Sequence, residues 1–134
     1  MFNFEKLDVW QKAIDFADLV YNCTRNFPAD ERFGLTNQMR RAAVSISSNI
    51  AEGTSRMSQT DFGCFIEIAT GSVFEVISQS FVGHRQGFLN EDNFRALYTV
   101  PRKLVACSAV YESPWRPNNV MCISASLSTI NYRL

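Results

Sequence analysis

The chain is poor in the residues that make chemistry easy to hide. It has one histidine, four widely spaced cysteines and four prolines, and its 13 Lys/Arg are matched by 13 Asp/Glu for a net charge of zero. The lone His84 has no Cys, Asp or Glu at a spacing that suggests a triad or a metal site. Cys23, Cys64, Cys107 and Cys122 form no CxxC pair, so free thiols in a reducing, cytoplasmic protein are the expectation, with no metal and no cofactor. HExxH, P-loop and GxGxxG patterns are missing. Glu52 and Glu75 could pair across two helices, but the Glu-x-x-His motifs of di-iron bundles are not there. The zero net charge gives no support to a protein that lives on phosphate contacts. The N-terminus lacks a signal-peptide core, and no uninterrupted apolar run approaches the roughly 20 residues of a membrane span.

What is present is aromatic and helical. Eleven phenylalanines in 134 residues are a heavy load for one thin bundle, and they hint at a second buried surface between subunits. A first helix starts near Asp8, where Asp8 and Gln11 have capping-box spacing. Leu7, Trp10, Ile14, Ala17 and Tyr21 recur on one face, read here as the inward one. Val9, Ala13, Phe16 and Val20 form a second apolar stripe. One stripe suffices inside a bundle, so the second is expected to meet another copy. Phe27-Pro28 ends that helix.

A second helix is predicted over Leu35 to Glu52, with Leu35, Met39, Ala42, Ala43, Ile46 and Ile50 inward and Gly53 as its cap. Ser58 caps a third helix, Met57 and Phe62 have staple spacing, and the helix stops around Gly87. Its seam runs Phe62, Phe65, Ile66, Ala69, Val73, Val76, Ile77, leaving Gly71 outside, where another helix could approach. Asn90 caps a fourth helix, which Pro101 should kink or break near Val100. Short connections favour an up-and-down, all-α four-helix bundle over residues 1–112. Residues 113–134, opening with Ser113-Pro114-Trp115, read as a loosely held tail.

The run Glu31-Arg32-Phe33-Gly34-Leu35-Thr36, then Gln38-Met39-Arg40-Arg41-Ala42-Ala43-Val44-Ser45-Ile46, then Ser48-Asn49-Ile50-Ala51-Glu52-Gly53, resembles one family. It is similar to the four-helix bundle proteins encoded by intervening sequences of bacterial 23S rRNA genes, also called S23 ribosomal proteins. The likeness covers roughly residues 4–98, and Ser47 stands where that family commonly has proline. The resemblance implies a closed homopentamer of bundles without established enzymatic activity.

The function expected from these readings is a non-catalytic, self-associating scaffold that engages a protein or ribonucleoprotein partner. The alternative is direct RNA or DNA binding through a ring of arginines built from Arg40, Arg41 and Arg56. Val9, Ala13, Phe16 and Val20 are the expected oligomer interface. Ser45, Asn49, Glu52 and Glu75, with Arg41 near them, are expected to form a polar network that specifies packing.

Overall fold

A computed structural model describes residues 1–102, 104 and 105. The expected tail, 113–134, lies outside the described residues. Among the described residues four α-helices are delimited: α1 (Asp8–Cys23), α2 (Leu35–Gly53), α3 (Gln59–Arg85) and α4 (Glu91–Thr99). Short 3-10 turns at Asn3–Lys6 and Ala29–Arg32 precede α1 and α2, and no strand occurs among the described residues. Consecutive helices pack as neighbours and α4 returns to α1, which closes the bundle.

The core follows the three- and four-residue periods of α2 and α3. Met39, Ala42, Ala43, Ile46 and Ile50 face Ile66, Ala69, Val73 and Val76, all buried. Alanines and serines on this seam let α2 and α3 approach closely. Gly53 contributes in a different way from the one its position suggests. It is the last residue of α2 and carries no positive φ. A Cβ there would lie 2.8 Å from the Phe62 ring and 3.0 Å from Phe65 Cβ, so its absence admits the start of α3. The left-handed glycine is Gly87, at φ 76° beyond the end of α3, where Phe88 N–H closes back on the Gly83 carbonyl at 2.8 Å.

Helix α1 overturns one expectation. Ala13, Phe16 and Val20, read as an interface between copies, are completely buried within one subunit, and Val9 packs against the same core. The physical reason is position. α1 lies against both α2 and α4, so two of its faces are covered by its own chain. Leu7 and Trp10 of the other stripe are only half-buried, and Tyr21 is exposed.

The helix ends are specified locally. Ser58 Oγ accepts from Asp61 N–H at 3.0 Å, and Asn90 Oδ1 accepts from Asn93 N–H at 2.8 Å. Two anticipated devices do not form. Asp8 is the first helical residue and pairs with Lys12, and Gln11 reaches back to the Glu5 carbonyl at 3.1 Å. Met57 is fully exposed, so it staples nothing. At Pro101 the ring nitrogen has no hydrogen to donate, and α4 ends at Thr99. Val100 keeps a helical backbone (φ −60°, ψ −46°), and helix resumes at Pro101. The proline breaks the hydrogen-bond ladder there without reversing the chain. Helix α2 runs unbroken from Leu35 through Ser47 to Gly53.

Candidate self-association face and arginine groove

Val9, Ile46, Ile66, Val73 and Leu104 line an apolar void of about 20 Å³, roughly the room one water needs. His84 sits at the end of α3, not in a cleft. Its Nδ1 donates to the Leu89 carbonyl at 3.1 Å, its Nε2 lies 3.5 Å from a Glu91 carboxylate oxygen, and its ring stacks on Phe94 at 4.5 Å. This arrangement ties the α3–α4 turn together. No cluster of three metal-ligating side chains occurs among the described residues.

The outer face of α3 is the first unusual surface. Ile68, Phe74 and Val82 are 53%, 56% and 50% exposed, with the solvent-facing Gly71 between them. A Cβ at Gly71 would meet nothing within 4 Å. From Ile68 to Val82 the stripe extends about 21 Å at the helical rise. An 18-residue window of α3 reaches a mean hydropathy of 1.2, and 33% of it is buried. By length and composition that helix could cross a membrane, although the sequence holds no uninterrupted apolar run of that length. Its apolar content therefore exceeds what one subunit's core uses.

The second surface lies along the outer face of α2, flanked by Tyr21 near the end of α1. Tyr21, Asn37, Arg40, Arg41, Ser45 and Ser48 line an open groove of about 540 Å³. Arg40 is fixed in it. Its Nε donates to Thr24 Oγ1 at 2.9 Å, and its guanidinium carbon lies 4.7 Å from the centre of the Tyr21 ring. Thr24 is buried and donates in turn to the Val20 carbonyl at 2.8 Å, a back-bond made where α1 ends. Arg41 is exposed and makes no ion pair among the described residues. Arg56 does not join them. It lies beyond the far end of α2, pairs with Glu52 at 2.6 Å and covers the Phe65 ring at 4.7 Å. The trio expected from the sequence is thus a pair plus an outlier.

The polar network is also redrawn. Asn49 Nδ2 donates to the Ser45 carbonyl at 2.7 Å and to Ser45 Oγ at 3.0 Å, and Ser45 Oγ meets Ser72 Oγ at 3.0 Å across the α2–α3 seam. Glu52 is taken by Arg56, and exposed Glu75 accepts from Gln79 at 3.1 Å. The carboxylates stay out because the seam admits small neutral groups, whereas an unpaired charge would be costly there. Ser72 and Thr24 carry no role in the sequence reading, and Tyr21, expected on the inward face, instead supports Arg40 at the surface. A hydroxyl four residues after Val20, at the helix end, was the available signal for Thr24.

These features define an all-α helical bundle whose notable surfaces lie outside it, with no convergent set of reactive groups among the described residues. The family model for the 23S rRNA-intervening sequence protein matches residues 5–106, and the chain belongs to that family. Its fold is similar to the crystal structure of a protein of unknown function from the S23 ribosomal protein family of Bacteroides thetaiotaomicron VPI-5482, with a TM-score of 0.71. That likeness covers 78% of this chain and 99% of the other at 19% identity, and it concerns the fold alone. No curated protein matches the chain.

Proposed function

We propose that this protein is a non-catalytic scaffold that closes into a homo-oligomer through the outer face of α3 and presents its remaining surface to a protein or ribonucleoprotein partner. The observation that carries the proposal is the half-exposed stripe of Ile68, Phe74 and Val82 around Gly71. Covering the exposed half of each of these side chains is worth about 1 kcal/mol, and a glycine at the centre lets a neighbouring backbone come close. A face that pairs with a different face of the next copy makes a ring when the rotation closes. Family resemblance sets the proposed ring at five copies.

Sedimentation velocity tests this directly. The expected species is about five times 15.2 kDa, and Ile68→Asp with Phe74→Asp should give a folded monomer. A wild-type monomer at micromolar concentration would overturn the proposal, as would wild-type protein that floats with neutral lipid vesicles instead of associating with itself. Cysteine alkylation read by peptide mass spectrometry gives a second measure. Cys64 is exposed one turn before Ile68 and should be labelled more slowly as the protein concentration rises. Cys23 should resist at every concentration, because burial covers its thiol and pushes its pKa up.

A further inference from the structure

We infer that the groove along α2 binds the phosphates of single-stranded nucleic acid, with Arg40 and Arg41 as the phosphate-binding pair. Everything the site needs lies within one subunit, so the inference stands apart from self-association.

The case begins with how the arginines are held. An arginine on a surface normally loses considerable side-chain entropy when it grips an oxyanion. Arg40 has already lost it. Its Nε is tethered to the buried Thr24 hydroxyl, and the Tyr21 ring supports the guanidinium plane. Its two Nη groups have no hydrogen-bond partner among the described residues, which leaves one end of the planar fork open to a tetrahedral or planar oxyanion. Arg41 follows at once and is free of carboxylates. Two exposed arginines elsewhere are neutralised, Arg56 by Glu52 at 2.6 Å and Arg95 by Glu91 at 2.7 Å. Arg25, Arg32, Arg85 and Arg102 share with Arg41 the lack of an ion pair among the described residues but line no groove with a second arginine. What sets this groove apart is that two adjacent arginines without ion pairs line it together and one of them is already held in place.

The rest of the lining selects the ligand. Asn37 and Ser48 add an amide and a hydroxyl, and no carboxylate lines the groove. An acidic peptide would want apolar anchors beside the charges, and of these the lining offers little beyond Val44. A sugar–phosphate backbone presents the acceptors and hydroxyls that such a surface satisfies. The groove's lining runs over about three helical turns of α2, from Asn37 to Ser48, about 16 Å at the helical rise, which is longer than a lone anion needs. Tyr21, 43% exposed, leaves ring surface on which an unpaired base can stack.

Fluorescence anisotropy with labelled single-stranded RNA and DNA of about 20 nucleotides, a duplex and a polyglutamate peptide of similar length decides the matter. Single strands should bind, with log K falling linearly against log salt. Arg41→Glu should weaken binding about tenfold or more and flatten the salt slope by about one phosphate's worth. Thr24→Val keeps every charge but frees Arg40, and should weaken binding without changing the salt slope. Arg95→Glu, at a paired arginine outside the groove, should bind as wild type, and thermal melting of each variant reports its fold. Failure of every strand to bind at low salt, preference for polyglutamate, or equal affinity for wild type and the folded Arg41→Glu variant would each overturn the inference. The Ile68→Asp/Phe74→Asp monomer should still bind through its single groove, so the two proposals fail separately.

Discussion

Helices α1 and α3 look alike on paper, since each carries more apolar surface than a single seam requires. In the molecule they diverge. The second stripe of α1, Ala13, Phe16 and Val20, is completely buried by its own chain, whereas Ile68, Phe74 and Val82 of α3 remain half-exposed. Excess greasiness in a helix is thus not itself evidence of a partner. It becomes evidence only once the fold has had its chance to cover it, and the fold covers α1 alone.

The sharpest way to break this contrast is to cut into both stripes. Phe16→Ala should cost about 3–5 kcal/mol of unfolding free energy, because the ring is fully enclosed and its loss leaves a cavity. Urea unfolding of a dissociated background, Ile68→Asp/Phe74→Asp, measures that cost without the assembly. Next in size, Ile68→Asp alone should leave the subunit's melting unchanged while weakening association by about 2–3 kcal/mol per contact. Should Ile68→Asp unfold the subunit, the two stripes would be equivalent after all, and the exposed one would belong to the core.

Much of this was legible beforehand, for identifiable reasons. Met39, Ala42, Ala43, Ile46 and Ile50 lie at strict helical spacing on a helix that meets one dominant neighbour, so period and burial agree. Ser58 and Asn90 announce helix starts because a cap is a local bargain between a side chain and the next turn. Pro101 interrupts α4 for an equally local reason. The stripes of α1 were misread because periodicity counts apolar faces and is silent on how many neighbours the chain itself supplies. Arg56 was grouped with Arg40 and Arg41 although the length of α2 separates them, and the pull of Glu52 one turn away was overlooked. Thr24 and Ser72 were missed because their roles depend on partners from another helix, Arg40 and Ser45. Which small polar groups meet across a seam depends on register, and no single sequence writes that down.

The two glycines on the α2–α3 pair sharpen the comparison further, because one substitution should act in opposite directions. Gly53→Ala places a methyl 2.8 Å from the Phe62 ring and 3.0 Å from Phe65 Cβ, so both must shift. Overpacking of this kind costs about 1–3 kcal/mol, against a gain in helix propensity of at most about 1 kcal/mol. The net expectation is a loss of about 1 kcal/mol, read as a lower denaturation midpoint at unchanged slope.

Gly71→Ala is the smallest effect and the most telling. Nothing lies within 4 Å of the added Cβ, and the residue sits inside α3, where alanine outranks glycine. In the dissociated background the variant should be more stable by about 0.5–1 kcal/mol. In the wild-type background the same methyl stands where a neighbouring helix is proposed to come close, so association should weaken even as the subunit strengthens. Sedimentation and melting on one pair of proteins read both signs. A Gly71→Ala chain that is stabilised and associates as tightly as wild type would mean that the exposed stripe of α3 meets no close backbone, and the proposed interface would have to move off that face.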